Sequence, residues 1–178
     1  MQKMILGMEI LLHTIPKVAL MLVAAAFLGV LPLTLAAWLP FACIRRYASG
    51  LHAKNSINCA VACMILFVAV PYLLQSVNID IVTHVLAFVV TGIILYKYAP
   101  ADTESRPIIG KKKRARLKKE AVIANFVLLM LSVFFIDASL YLMVSLGVVS
   151  AAIHTLPLLY KLLGRRTNNY EQYESKNQ

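Results

Sequence analysis

Charged residues are scarce in this sequence: they make up 15% of its 178 residues, against roughly 25% in a typical soluble protein. Hydrophobic residues make up 60%, and the mean hydropathy is +0.74. A soluble domain of this size cannot bury so much apolar material, because it still needs a polar exterior. The composition therefore excludes a soluble single domain and a disordered chain. It predicts an all-α, polytopic integral membrane protein.

Acidic residues are scarcer still, with eight against eighteen basic ones and a formal net charge of +10. In a soluble protein this excess would suggest a nucleic-acid partner. Here the basic residues lie between apolar stretches. We therefore expect them to set membrane topology and to contact anionic lipid, with no nucleic acid bound.

Cysteine is also rare, and an odd count of three argues against a disulfide framework. Cys59 and Cys63 are four residues apart, but two thiols without further ligands make a poor zinc site. We therefore expect no metal and no other cofactor. Cys43 and Cys63 lie in apolar runs, where we expect them to pack as small apolar side chains.

Apolar segments fill most of the chain, and a helix needs about 20 apolar residues to cross a bilayer. The second segment is short and contains Pro32 and Pro40. It either crosses the membrane or re-enters it, which leaves five or six spans. We expect residues 1–164 to form one membrane-embedded domain, followed by a frayed polar tail over residues 165–178. The predicted segments cover residues 5–28, 30–44, 57–74, 81–96, 121–136 and 140–163.

Three basic stretches separate these segments, and neighbouring stretches are two predicted spans apart. Cytoplasmic loops are enriched in Lys and Arg, so all three can lie on the cytoplasmic side. The largest is a predicted polar loop over residues 97–120, with nine basic and three acidic residues and a net charge of +6. The basic residues concerned are Arg45, Arg46 and Lys54, then Lys111, Lys112, Lys113 and Arg114 within the loop, and finally Arg165 and Arg166.

His52 and Cys59 are the pair best suited to chemistry. A thiolate is the nucleophilic form of cysteine, and an imidazole can take its proton and return it to a leaving amine. Seven helical positions bring both residues to one face but separate them by about 10 Å along the axis. We therefore predict a turn between them. The alternative is that Cys59 is a packed, apolar-like residue and His52 an interfacial one.

Several neighbours could support a thiolate at Cys59. Asn55 or Ser56 can cap the following helix, and the helix dipole favours a thiolate in its first turn. Gly50 permits the bend that the pair requires. The supporting residues that we predict are Arg45, Arg46, Gly50, Lys54, Asn55 and Ser56.

Other ionisable residues give weaker signals. His84 and His154 stand alone in late apolar segments, where we expect satisfied polar groups rather than ligands. Asp102 and Glu104 could form a carboxylate pair, but a solvated loop is the simpler expectation.

Two motifs together resemble the accessory gene regulator B (AgrB) family. Residues 44–53 read IRRYASGLHA and are followed by Cys59, and residues 98–103 read YAPADT, followed by RPI at 106–108. Gly7-Met8 before the first segment is a weaker match. Family members usually carry a longer segment before it, so this is either a short member or a sequence without its N-terminus.

The resemblance implies a membrane cysteine endopeptidase of Gram-positive quorum sensing. It implies that Cys59 is the nucleophile and His52 its acid/base partner. The substrate would be an AgrD-type propeptide, whose acidic C-terminal tail is removed before a thiolactone or lactone ring closes. It further implies a homodimer in the bacterial cell membrane, multi-pass, with the active site near the cytoplasmic face.

A second class of function stays open, namely a non-enzymatic small membrane transporter or partner-binding subunit. Such a protein would use Lys17, His84 and His154 as pathway groups, and Cys59 would serve only in packing.

Overall fold

The chain is all-α in a computed structural model that describes residues 2–50, 56–103, 107–167 and 169–171. Within these residues helices are joined by turns and irregular segments, no β-strand is present, and an isolated bridge links Ser49 with Ala101. The predicted all-α class is therefore confirmed. In chain order the elements are α1 Gln2–Phe27, α2 Leu31–Ala48, α3 Ser56–Met64, a π-helical turn Ile65–Ala69, α4 Val70–Leu73, α5 Ile81–Tyr98, α6 Lys111–Phe135, a 3₁₀ turn Ala138–Leu140, α7 Tyr141–Ile153 and α8 Pro157–Leu162.

The chain divides into two compact units. Unit 1 comprises Met1–Leu35 and Ala53–Ser76, and unit 2 comprises Ala36–His52 and Val77–Gln178. In unit 1, α1 contacts α3 and the π-helical turn. In unit 2, α5 packs against both α6 and α7.

The core of unit 2 is made of apolar side chains from α2, α5, α6 and α7 and from the residue that follows α5. Gly147 in α7 lies directly against the carbonyl of Ala37 in α2, where a Cβ atom would collide with the backbone. Glycine therefore permits the close approach of these two helices. The buried cluster consists of Ile44, Ala48, Phe88, Leu95, Ala99, Ala121, Val144, Val148 and Ala151.

Helix α5 begins at Ile81, where the predicted apolar segment 81–96 also begins. Asp80 is its N-cap, and one carboxylate oxygen accepts hydrogen bonds from the backbone N–H of Val82 at 3.0 Å and of Thr83 at 3.3 Å. This helix has a mean hydropathy of 1.7 and is long and apolar enough to cross a membrane. Among the described residues no other helix meets both criteria, and the shorter apolar helices are Thr14–Phe27, Ile57–Leu73 and Ala138–Ile153. The predicted five or six crossings stay a prediction.

Two predicted boundaries are wrong. The polar loop was expected over residues 97–120, but α6 begins at Lys111, directly after Gly110. Lysine, arginine, leucine and glutamate are all good helix formers, so a basic run suits a helix as well as a loop. The last predicted segment, 140–163, is interrupted between α7 and α8. Pro157 has no N–H, and it holds Leu156 in an extended conformation.

Candidate functional site

Helix α2 ends abruptly just before the His52 region. Ser49 has φ = 56° and Gly50 has φ = 103°, so two consecutive residues leave the right-handed helical region. The next helix, α3, begins at Ser56. The predicted start of a helix near Ser56 is confirmed, and Gly50 lies where the chain leaves α2. The predicted turn between His52 and Cys59 falls largely on residues 51–55, which lie outside the described residues, and it stays a prediction.

The break brings the two sequence motifs together. The Gly50 N–H donates to the carbonyl of Ala101 at 2.8 Å, and the Ala101 N–H donates to the carbonyl of Ala48 at 3.0 Å. The described part of the first motif, residues 44–50, thus shares a two-hydrogen-bond junction with residues 98–103 within unit 2. Neither motif taken alone predicts this pairing.

Gly50 has a positive φ, and neighbouring atoms also leave no room for a side chain. A Cβ at this position would lie 2.7 Å from the carbonyl oxygen of His154 and 2.8 Å from Nη1 of Arg45. The first neighbour is backbone and cannot rotate away. A side chain at Gly50 would therefore force apart the end of α2 and the end of α7.

The two arginines before Gly50 lie in different environments. Arg45 is half-buried, and its guanidinium lies over the Phe41 ring at 5.6 Å. The same ring meets the His154 imidazole edge-on at 5.7 Å, and Nδ1 of His154 donates to the Ser150 carbonyl at 2.7 Å. Arg46 is exposed. Arg45 therefore packs against side chains next to the Gly50 junction, whereas the charge of Arg46 lies at the protein surface.

Cys59 is the fourth residue of α3, in its first turn, as the sequence predicts. It is half-buried, and Cys63 is half-buried one turn later. Cys43 is exposed, so the expectation that it packs inside the protein is wrong. Ser56 contributes its backbone to the first turn of α3. His52, Lys54 and Asn55 lie outside the described residues, and their pairing with Cys59 stays a prediction.

The helix that carries Cys59 widens into a π-helical turn one residue after Met64. The Val70 N–H donates to the Ile65 carbonyl five residues earlier. Pro71 follows and has no N–H to offer the regular ladder, which gives a physical reason for the wider turn. Phe67 and Val68 are buried here. Such single π turns occur frequently at functional sites.

Asp102 is not the solvated loop residue that the sequence suggested. Its side chain is only 4% exposed. The carboxylate accepts hydrogen bonds from the backbone N–H of Asn169 at 3.1 Å and of Tyr170 at 2.8 Å. Its own carbonyl accepts a hydrogen bond from the Tyr160 hydroxyl at 3.0 Å. Two amide donors offset the cost of burying the carboxylate.

The same contacts hold Asn169 and Tyr170 in place within the segment that was predicted as a frayed tail, whereas residues 172–178 lie outside the described residues. Arg114 adds a second contact: its guanidinium carbon lies 3.7 Å from the centre of the Tyr170 ring. Arg114 also donates from Nη1 to the Ile108 carbonyl at 3.1 Å. The three lysines before it, Lys111, Lys112 and Lys113, are exposed. The predicted basic cluster therefore splits into one ordered arginine and three exposed lysines.

A pocket of about 300 Å³ lies beside Asp102. Its wall is formed by residues 97–102 on one side and by residues 155–167 on the other, with Lys97, Asp102 and Tyr160 among its polar groups. No group of three His, Cys, Asp or Glu side chains in the described part of the chain is arranged to hold a metal.

His84 is a satisfied polar group inside unit 2, as the sequence analysis expected. It is fully buried. Nδ1 lies 2.8 Å from the Ser145 hydroxyl and 3.2 Å from the Tyr141 carbonyl, and Nε2 lies 2.8 Å from the Ser132 hydroxyl. Because neighbouring helices occupy both ring nitrogens, this residue contributes to packing between α5, α6 and α7. That arrangement weakens its case as a transport-pathway group.

Comparison with known proteins decides the family. A sequence profile described as accessory gene regulator B matches residues 1–157. The chain belongs to the accessory gene regulator B family. A putative AgrB-like protein of Clostridium acetobutylicum is 35% identical over 172 residues, covering 97% of this chain and 82% of that protein. A putative AgrB-like protein of Listeria monocytogenes is 38% identical over 170 residues, covering 94% and 82%.

The accessory gene regulator protein B of Staphylococcus aureus is also similar, at 35% identity over 156 residues, covering 87% of this chain and 82% of that protein. No solved structure matches the chain. Membership in the family gives the chain a role in accessory gene regulator quorum sensing, where the family is associated with AgrD propeptide processing.

Proposed function

We propose that this chain is a membrane-embedded cysteine endopeptidase that removes the C-terminal tail of an AgrD-type propeptide. The observation that supports this best is the position of Cys59, in the first turn of a helix that follows a sharp break in a chain of this family. Backbone N–H groups in a first helical turn have no intrahelical acceptor. They favour a thiolate and can stabilise an oxyanion.

In the proposed reaction the Cys59 thiolate attacks the scissile carbonyl carbon. The carbon–nitrogen bond breaks, and His52 gives the departing amine the proton that it took from the thiol. The pheromone region remains on Cys59 as a thioester. A thiol or hydroxyl of the substrate then attacks this thioester, closes the ring and releases Cys59.

Ring closure must compete with hydrolysis. A tethered nucleophile reacts at a high effective concentration, which favours the ring. A site that limits water favours it further, because hydrolysis would give a linear acid and lose the activation held in the thioester. The supporting roles proposed for Arg45, Arg46, Lys54, Asn55 and Ser56 are electrostatic or capping roles around this thiolate.

We place this chemistry in a multi-pass protein of the bacterial cell membrane, with residues 1–164 acting as one peptidase and the basic stretches on the cytoplasmic side. The apolar composition supports this proposal. So does the outer surface of α5, where Val82, Leu86 and Ile93 are each more than half exposed. Large apolar side chains exposed along a helix of this length suit contact with lipid.

The decisive experiment is co-expression with a matching propeptide. Cys59→Ala and His52→Ala should each abolish release of the tail, whereas Cys43→Ala and Cys63→Ala should retain most of it. Mass spectrometry would follow the tail and the ring, and membrane fractionation would verify insertion. An active Cys59→Ala together with an inactive Cys63→Ala would show that the nucleophile is wrongly assigned.

Thiol labelling separates the peptidase from a non-enzymatic membrane protein. A catalytic Cys59 should react with a small iodoacetamide faster than Cys63, although both are half-buried on one helix. Equal rates at the two positions would favour a packing role for Cys59.

A further inference from the structure

The segment Asn169–Glu171 lies on unit 2 as a bound peptide would. The Asp102 carboxylate accepts two successive backbone N–H groups from it, one on each oxygen. The backbone turns at Asn169 and Tyr170, so that two consecutive N–H groups point to the same side. Backbone amides are present in every peptide, so this contact recognises a turn of the backbone rather than a particular sequence. The carboxylate is buried and faces the segment with both oxygens. The acceptor pair is therefore suited to any segment that presents two consecutive amides.

The second contact selects a side chain. The Arg114 guanidinium covers the Tyr170 ring at 3.7 Å and is anchored by its hydrogen bond to the Ile108 carbonyl. A planar cation over an aromatic face is attractive, and the attraction increases when the pair is shielded from water. Arg114 is half-buried. This position therefore favours an aromatic residue next to the amide pair.

The charge of the occupant matches its surroundings. Residues 167–178 contain two acidic residues, Glu171 and Glu174, and one basic residue, Lys176. The surface at the start of α6 carries the three exposed lysines that precede Arg114. An acidic segment gains from this field, which raises its local concentration and its association rate.

The site also adjoins the pocket and the Gly50 junction. Asp102 and Thr167 both line the pocket of about 300 Å³. Ala101, the neighbour of Asp102, is the residue that bonds to Gly50. A peptide held by Asp102 therefore lies beside the junction between Gly50 and Ala101, where the two family motifs meet.

We propose that Asp102 and Arg114 form a binding site for an acidic peptide segment with an aromatic side chain, and that the chain's own Asn169–Glu171 occupies this site until a substrate segment displaces it. This inference rests on the proposed function, because the proposed site would be the part of the endopeptidase that holds an acidic region of the propeptide. The carboxy-terminal segment is then an internal competitor of the substrate.

A binding measurement tests the site without any chemistry. The probe is a fluorescein-labelled synthetic peptide with the sequence of residues 167–178, and the protein is the Cys59→Ala chain in lipid nanodiscs. A chain truncated after Thr167 should bind the probe at least about tenfold more tightly than the full chain, whose own segment competes. Equal affinity for the two chains would overturn the proposal.

Changes in the peptide avoid any effect on folding of the protein. Methylation of the backbone nitrogens of Asn169 and Tyr170 removes both donors to Asp102, and affinity for the truncated chain should fall at least about tenfold. Tyr170→Ala in the peptide should weaken binding several-fold, because the aromatic ring that contacts the Arg114 guanidinium is lost. A peptide that tolerates both changes would not be bound at this site.

Matched protein variants complete the test. In the truncated chain, Asp102→Asn and Arg114→Gln should weaken binding of the probe. Asp137→Asn and Arg116→Gln, which make the same changes of charge at exposed positions, should leave it within about twofold. Equal losses across all four variants would indicate a general charge effect and would overturn the assignment to Asp102 and Arg114.

Cleavage assays separate this proposal from the proposed function. With limiting propeptide, truncation after Thr167 of the Cys59 chain should raise kcat/KM, and unlabelled propeptide should displace the probe from the truncated Cys59→Ala chain. If the probe binds as described but no variant releases a tail, the peptidase assignment fails while the site stands. If tails are released but the propeptide does not displace the probe, the proposed site is wrong.

Discussion

The two ends of α5 are organised in different ways. At the amino end, Asp80 is exposed and bonds within its own helix, to the amides of Val82 and Thr83. At the carboxyl end, the residues after Tyr98 bond to distant parts of unit 2: Ala101 to Ala48 and Gly50, and Asp102 to Asn169 and Tyr170. One end is a local cap and the other is a junction of several segments. A single change at the junction should therefore disturb more of the protein than a change at the cap.

The largest effect is expected for Gly50→Ala. The new methyl group would collide with the His154 carbonyl, and the alanine would have to adopt the φ of 103° that Gly50 has. Overpacking and a left-handed conformation together should cost about 3 kcal/mol of unfolding free energy. Thermal unfolding in detergent would measure the loss.

Gly110→Ala is the matched control for that variant. Gly110 has a similar φ of 98°, but nothing lies within 4 Å of its Cβ position. It should lose only about 1 kcal/mol, from the backbone conformation alone. Equal losses at the two glycines would show that the contact with His154 does not matter.

The next effect is expected for Asp102→Asn in the full chain. Asn169 and Tyr170 each donate to a different oxygen of Asp102. The asparagine side chain would present an NH2 group to one of these two donors, so the tail should detach more often. A loss of about 2 kcal/mol corresponds to a roughly thirtyfold larger detached fraction. Limited trypsin digestion after Arg166 should accelerate accordingly. An unchanged digestion rate would mean that the carboxylate does not hold the tail.

A smaller effect is expected when Arg45 is replaced by lysine. Lysine keeps the charge but loses the flat guanidinium over the Phe41 ring, which lies 5.6 Å away. The loss should be about 1 kcal/mol. Arg46→Lys, at an exposed position, should change stability little. The difference between the two variants in chemical unfolding would measure how much the junction depends on this stacking.

The smallest effect is expected at the amino end of α5. Two hydrogen bonds to the Asp80 carboxylate hold its pKa below the ordinary value of 3.8. The one from the Thr83 hydroxyl has the larger effect, and the one from the Thr83 backbone N–H has the next largest. A lowered carboxyl pKa stabilises the fold above the ordinary value, and this stabilisation disappears as the pH falls through the folded pKa. The stability advantage over Asp80→Asn should therefore be constant near neutral pH and shrink below pH 3.8. Because Asp80 is fully exposed, added salt should reduce the difference further.

Local features of the sequence predict the parts of the site that depend on neighbours along the chain. A glycine within a helical pattern predicts the break at Gly50. The start of a helix before Cys59 is predicted as well, since capping residues precede an apolar segment. The motifs that identify the family are likewise contiguous stretches.

Burial of Asp102 could not be predicted in this way, because its partners Asn169 and Tyr170 lie more than sixty residues away. The basic run at 111–119 shows the same limit, since its composition suits both a helix and a loop.

The sequence by itself determined the apolar character of the chain, its helical segments, the break at Gly50 and the family. These properties follow from composition, from local backbone preferences and from contiguous motifs. Only the tertiary structure decided that Ala101 joins Gly50, that His84 lies between Ser132 and Ser145, and that Asp102 and Arg114 hold the tail. In each of these cases an ordinary polar group becomes buried, and its partner is set by which helices pack together.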